Sequence, residues 1–375
     1  MSKDWLHYNP VRIYFGRGIR RVLKHKISGK RCLFFISKRG HQKISEDPVM
    51  RSIEDATKFT WIDSINSYPS LDSIQEITSA HASEVFDYII GWGGGSVIDS
   101  AKACSIALAP ELKGMPLDKI ISAAPYHELK RKMPVISIPT TAGTGTEVTP
   151  YATIWDNRMK KKLSLYGESL YCNMAIIDSE LTDDLPRNVA LSTGLDAINQ
   201  AAESIWNKNA TPITLRLAER SLLLGFNALP RLISGEARSV DYDDMAECSM
   251  LAGMAISQTK TALCHSIGYP LTAHFSVPHG LACAFTMVAV LKVNMQVDDG
   301  RIDKLHQVLG CEDLLQEFQD LTSNLGVLAE IKKYIGSITE LEPLIGDMYL
   351  KDRADNNLAP VDESIIRQIL IDSWS

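Results

Sequence analysis

Ile89-Ile90-Gly91-Trp92-Gly93-Gly94-Gly95-Ser96-Val97-Ile98-Asp99-Ser100-Ala101-Lys102 runs from an apolar strand through clustered glycines into the start of a helix. Glycine lets a backbone approach a pyrophosphate closely, and the N–H groups at a helix N-terminus attract its charge. The spacing is not G-x-G-x-x-G, so alone the stretch serves equally well as a plain strand-to-helix turn. A second segment favours a nucleotide. Pro139-Thr140-Thr141-Ala142-Gly143-Thr144-Gly145-Thr146-Glu147-Val148-Thr149-Pro150 follows another apolar strand and is crowded with hydroxyls and glycines. Such a loop offers hydrogen bonds to a ribose or nicotinamide. Gly94, Gly95, Ser96, Asp99, Thr140, Thr141, Thr144 and Thr149 are therefore candidate cofactor-binding residues.

Around these loops the first half alternates strand and helix signals. Strands are expected at 11–16, 32–37, 59–63, 85–91 and 135–139, and helices around 48–58 and 71–82. Beyond about residue 186 strand-like runs give way to 3.6-residue periodicity over 188–207, 213–229, 241–259 and 261–269. The expectation is an α/β dinucleotide-binding domain with a doubly wound parallel sheet, residues 1–186, followed by an all-α domain, residues 187–375. After the second strand, Ser37-Lys38-Arg39-Gly40 offers two cations and no carboxylate. A cation there suits a 2′-phosphate, so Lys38 makes the expected cofactor NAD(P)H with a lean toward NADP(H).

Composition excludes several classes. The chain of 375 residues is 45% hydrophobic and 22% charged, ordinary for a soluble globular protein. A net charge of −6 argues against a broad nucleic-acid or membrane-surface partner. No apolar run is long enough to span a bilayer, and Met1-Ser2-Lys3-Asp4-Trp5 begins no secretory signal, so a cytoplasmic location is expected. Seven cysteines without CxxC spacing read as reduced core residues, Cys283 among them.

The helical half carries a different chemistry. Asp196 and Gln200 share a helix face at i, i+4, as do His265 and Tyr269, while His279 lies in a Pro-His-Gly turn. One oxygen ligand with two imidazoles suits Zn²⁺ or Fe²⁺ and leaves a position open for substrate. Spacing this long is not diagnostic by itself, since a lone histidine is more often a satisfied core residue.

Taken together, GGGSVID, PTTAGTGTE, the GLDAxxxxxE segment Gly194–Glu203 and His265-x13-His279 ending in PHG resemble the iron-containing (group III) alcohol dehydrogenase family. The resemblance covers nearly the whole chain and implies the dehydroquinate synthase-like architecture, with a dinucleotide domain and an all-helical metal domain. It implies metal ligands Asp196, His265 and His279, with the family's fourth ligand, a His, falling at Gln200. Glutamine donates a neutral carbonyl oxygen, weaker than imidazole, yet three protein ligands suffice for a catalytic zinc. Lys162 matches a family lysine on the cofactor side. Tyr269 stands where many members carry a His; pocket shaping is favoured over proton relay, because a phenol of pKa ~10 is a poor relay at neutral pH.

Within the family, Tyr8-Asn9-Pro10-Val11, the segment 203–210, and Thr259-Lys260-Thr261-Ala262-Leu263-Cys264-His265-Ser266 are most similar to phosphonoacetaldehyde reductases. The implied reaction is NAD(P)H-linked reduction of a short aldehyde, with phosphonoacetaldehyde to 2-hydroxyethylphosphonate the expected conversion, by a homodimer. A phosphonate requires cationic recognition. Lys260, the run Arg158-Met159-Lys160-Lys161-Lys162 and His274 are the candidates, each weighed against a solvated charge or a core histidine. The competing expectations are a dehydrogenase for another small alcohol or aldehyde, a cyclase or lyase using NAD⁺ transiently, and a metal-depleted non-catalytic homologue in which Gln200 marks the loss.

Overall fold

The computed structural model describes residues 4–53, 57–65, 69–129, 132–159 and 161–375. Six strands form one parallel sheet: β1 (Arg12–Phe15), β2 (Arg31–Ile36), β3 (Lys58–Ile62), β4 (Tyr88–Gly93), β5 (Val135–Pro139) and β8 (Met174–Ile177), in the order β1-β8-β5-β4-β2-β3. The inner strands are apolar on both faces because helices cover both faces. Side-chain alternation sorts them. Leu33, Phe35, Ile89 and Val135 pack with Ile98 and Ala101 of the Gly95–Ala107 helix. Phe34, Ile36, Ile90, Ile136 and Ile138 pack with Leu23 and Ile27 on the other face.

β6 (Tyr151–Asp156) and β7 (Lys161–Tyr166) form a separate antiparallel hairpin. Neither this hairpin nor β8 was expected. The hairpin alternates buried and half-buried positions and carries charges at its turn end, and β8 is only four residues long, so each gives a weak period. The helix expected over 48–58 is Pro48–Arg51, capped by Asp47, and Lys58 already opens β3; residues 54–56 lie outside the described set.

The second half is helical as expected, with Arg187–Ile205, Pro212–Ser234, Ser239–Thr259, Leu263–Phe275 and His279–Ala284 leading its core. Ile198, Leu222, Met245 and Ile267 belong to one continuous apolar cluster. Thr211 caps the second of these helices with Pro212 at its first position, and Gly235, in the left-handed region, closes it. Two expected helix ends are overrun. Pro230 and Pro270 lie inside their helices rather than after them, because burial of both flanking turns outweighs the lost backbone hydrogen bond.

The chain divides into two compact units. One holds Asn9–Thr141 and Thr146–Asp183; the other holds Asp184–Ser375, Ala142–Gly145 and the described residues up to Tyr8. The helical unit is thus not the single segment expected from residue 187, since it takes four residues from the hydroxyl-rich loop. Glycine is what allows it. A Cβ on Gly143 would fall 2.5 Å from the Thr193 carbonyl, and one on Gly145, at φ +59°, 2.5 Å from Gly253 Cα.

Candidate active site

In the α/β unit, register brings the two sequence-distant turns together. Gly93 pairs with Pro139, and the Thr140 amide donates to the Gly93 carbonyl at 3.1 Å. Both turns thus stand at the carboxyl end of the sheet, where such sheets bind ligands. Gly94 begins the Gly95–Ala107 helix, and Gly94, Gly95, Ser96, Thr140 and Thr141 are half-buried there. At Gly91 a Cβ would meet Ile98 Cα at 3.2 Å, so the glycine lets helix press on strand.

Asp99 and Thr149 are placed differently. The Asp99 carboxylate accepts from Thr146 Oγ1 and from the Thr153 amide at 2.8 Å, and Thr149 is buried. The Asp99 carboxylate thus ties the loop to the helix, and the Thr149 carbonyl accepts from Lys102. Burial pushes the Asp99 pKa up, against the opposing pull of Lys102, Thr146, Thr153 and Lys162. Lys102, which sequence reasoning passed over, is the hub: its buried ammonium donates to the carbonyl and hydroxyl of Thr146 and to the carbonyls of Thr149 and Tyr151. The available signal was a lysine in a helix whose other residues from Ser100 to Ala107 are all small or apolar. Lys38 is exposed in the first turn of the Lys38–Ile44 helix, directly after β2. Lys162 lies in β7, half-buried. Thr144 belongs with the helical unit, where its carbonyl accepts from Gln200 Nε2 at 3.4 Å.

The helical unit gathers the metal-type donors. Ligand atoms of Asp196, His265, His279 and Cys283 all lie within 4.8 Å of one another. Asp196 comes from the Arg187–Ile205 helix, His265 from Leu263–Phe275, and the last two from His279–Ala284. Gly280 makes the meeting possible, since a Cβ there would sit 1.8 Å from the Ser192 carbonyl and 2.7 Å from Asp196 Cβ. Glu203, two turns beyond Asp196 and fully buried, accepts from the Ala262 and His265 amides and from His265 Nδ1 at 2.7 Å. That bond fixes the ring and leaves Nε2 facing Asp196 Oδ1 at 3.5 Å. The GLDAxxxxxE pattern had already marked Glu203, without a role.

These residues fit a divalent cation. Gln200 Oε1 is a buried acceptor without a hydrogen-bond donor, and Asp196 Oδ1 has only the long 3.5 Å approach of His265 Nε2, a costly arrangement that a cation between the two oxygens would relieve. Burial works against charge at both Asp196 and His265. Even so, Cys283, Glu203 and Asp196 hold the His265 pKa well above the usual histidine range, and His265, His279 and Gln200 hold Asp196 below the usual carboxylate range. Cys283, expected in the core, is buried yet also faces the donor set; burial pushes its thiol pKa up, away from the thiolate that ligation needs.

The Tyr269 ring stacks on His279, with centroids 5.4 Å apart and 6° between planes, and the Arg353 guanidinium lies over the Tyr269 ring, 5.0 Å from its centre. Lys260 is exposed and ends the Ser239–Thr259 helix at φ 63°, ψ 171°. Arg158 is exposed and pairs with Asp72 at 3.1 Å, Lys161 is exposed, and Lys160 lies outside the described residues. His274 is exposed, so it is not a core histidine.

Two family models match in tandem: iron-containing alcohol dehydrogenase over residues 10–179, and the C-terminal region of the Fe-containing alcohol dehydrogenase family over residues 190–374. The chain belongs to the iron-containing alcohol dehydrogenase family. It is an alcohol/aldehyde oxidoreductase, and the α/β-plus-helical architecture is that of the family. A sulfoacetaldehyde reductase from Bilophila wadsworthia is 31% identical over 353 residues, 88% of each chain. A phosphonoacetaldehyde reductase from Streptomyces viridochromogenes is 36% identical over 220 residues, 57% of this chain and 55% of that one. The crystal structure of a sulfoacetaldehyde reductase from Bifidobacterium kashiwanohense, in complex with NAD⁺, shares the fold with a TM-score of 0.89 at 23% identity over the whole of both chains. Among the described residues, no helix is long and apolar enough to cross a membrane.

Proposed function

We propose that this family member reduces a short anionic aldehyde to its alcohol with NAD(P)H, phosphonoacetaldehyde being the favoured substrate. The observation that carries the reading is the convergence of Asp196, His265 and His279, with the buried, donor-free Gln200 Oε1 on the same helix face as Asp196. Asp196, His265 and His279 would hold Fe²⁺ or Zn²⁺, with Gln200 Oε1 as the fourth donor. A bound ion would polarise the aldehyde carbonyl, and a bound nicotinamide would supply hydride. Glu203 keeps His265 in the tautomer that offers Nε2. The Tyr269 ring, parallel to His279, shapes the wall beside it. The glycine turn at Gly94–Ser96 and the hydroxyls of Thr140 and Thr141 would seat the dinucleotide, with Lys162 near them.

Lys38 supports the lean toward NADP(H). A cation in the first turn of a helix opposes the helix dipole; Asp63 offsets part of that through its charge, and a 2′-phosphate would add a second anion for Lys38. Two relatives, reductases of a phosphonate and of a sulfonate aldehyde, support an anionic substrate. The test combines metal analysis with kinetics on phosphonoacetaldehyde, sulfoacetaldehyde and butyraldehyde, each with NADH and NADPH. Bound Fe²⁺ or Zn²⁺, preference for the phosphonate and higher efficiency with NADPH are expected. Equal efficiencies for all three aldehydes would sink the substrate assignment. A protein that folds, binds no added ion and turns over nothing would favour the non-catalytic reading.

A further inference from the structure

We propose that Arg353 and Lys260 together bind the anionic end of the substrate and select short aldehydes bearing a tetrahedral oxyanion. This rests on the reductase reading above. The first observation is the position of Arg353. Its guanidinium carbon is 5.0 Å from the Tyr269 ring centre, and that ring is stacked on His279, a member of the donor set. A half-buried cation therefore stands one aromatic ring away from the metal-type residues. Guanidinium is planar, weakly hydrated and forked, which matches an oxyanion, and an aromatic face beneath it helps hold it in place. A two-carbon aldehyde ending in an oxyanion is short enough to bridge that gap. A neutral aldehyde of equal length brings the guanidinium no charge to bind.

The second observation is backbone strain at Lys260. Its φ of 63° with ψ of 171° lies in a region that is essentially reserved for glycine. Its amide donates to the Ile256 carbonyl and its carbonyl accepts from Asn207 Nδ2 at 3.1 Å, so the conformation is held by the surrounding helices. A lysine kept where glycine is cheaper, with its side chain exposed, points to a task for that side chain. The strained segment is also braced against Asn356, just beyond the short Lys351–Ala354 helix that carries Arg353. Asn356 Nδ2 donates to the Thr261 carbonyl at 2.9 Å, and Asn209 Nδ2 donates both to the Thr259 carbonyl and to Asn356 Oδ1, each at 3.2 Å. On its other side, Ala262 is tied to Glu203, the residue that orients His265. Two cations on mutually braced segments complement a phosphonate dianion better than a sulfonate monoanion.

The test uses the metal-loaded enzyme, with Arg353→Gln, Arg353→Lys and Lys260→Gly as variants. The ratio of kcat/KM for phosphonoacetaldehyde to that for propionaldehyde is measured for each. Calorimetric titration with ethylphosphonate, which does not react, reads binding directly. Loss of a charge-assisted hydrogen bond predicts a fall of about 10–100-fold in the ratio for Arg353→Gln, carried by KM. Arg353→Lys should recover part of it, and ethylphosphonate affinity should fall in parallel. Lys260→Gly should lower the ratio while raising the melting temperature, because glycine relieves the strain. Should Arg353→Gln fail to fold, Arg353→Lys and Lys260→Gly carry the comparison. If wild-type preference for the anionic aldehyde survives in these variants, the anchor assignment is overturned and the reductase reading stands. If the wild type shows no such preference, the substrate reading itself is wrong.

Discussion

The side-chain oxygen of Gln200 is buried without a hydrogen-bond donor, while its Nε2 reaches the Thr144 carbonyl at 3.4 Å. The amide is therefore turned so that its acceptor is available to a cation. Replacement by a stronger donor is the direct check. Gln200→His is predicted to tighten Zn²⁺ binding by about tenfold or more, a gain of ~1.4 kcal/mol, in competition with a fluorescent chelator. No tightening would mean that Gln200 lies outside the coordination sphere. A second residue-scale prediction concerns Glu147. Burial raises its pKa from 4.5 to about 7, against opposing help from its own backbone and Lys102. The unfolded chain thus gives up this proton at lower pH than the native state does. Stability falls as pH rises from the unfolded value through the folded one, and the cost is complete above it. Glu147→Gln should stabilise the protein at pH 8, by at most about 3 kcal/mol. It should also flatten the urea midpoint between about pH 4.5 and 7. A variant with the wild-type pH profile would exclude Glu147 as the source.

At the scale of elements, the His279–Ala284 helix can lie against Arg187–Ile205 only because residue 280 lacks a side chain. Gly280→Ala places a carbon against the Ser192 carbonyl and must drive the two helices apart. Overpacking of this kind is expected to cost about 1–3 kcal/mol of stability. The sharper readout is metal content, which should be lost because His279 and Asp196 no longer meet. Full metal occupancy in a folded Gly280→Ala protein would contradict this account. Elements also show where legibility ended. β4 and β5 were readable because both are buried apolar runs followed by glycine-rich turns. The β6–β7 hairpin was not, because its half-buried alternation is broken by charge. Pro230 and Pro270 read as helix ends, and packing carried both helices past them.

For the whole molecule, every donor of the candidate metal group belongs to one of the two compact units. A ligand that binds only the native state stabilises it by about 2.7 kcal/mol at a hundredfold excess over Kd. Chelation should therefore lower hydrogen-exchange protection in the helices bearing Asp196, His265 and His279, and leave strands β2 and β4 unchanged. Restoration by Zn²⁺ or Fe²⁺ completes the test. Uniform loss of protection across both units would argue against a site confined to the helical unit.

Sequence alone determined the α/β and all-α halves, the two glycine-rich turns after β4 and β5, the family and three metal-type residues. Each leaves a local mark, as a burial period of 2 or 3.6 or as a short motif. Tertiary structure decided the rest. It turned Asp99 and Lys102 inward to hold a loop, brought Cys283 to the donor set, set Glu203 behind His265 and laid Arg353 over Tyr269. Those partners are 44 to 84 residues apart or lie on different helices. Local periodicity reports only whether a side chain is buried. Which side chains meet depends on how helices pack, and at Gly280 on the absence of a single carbon.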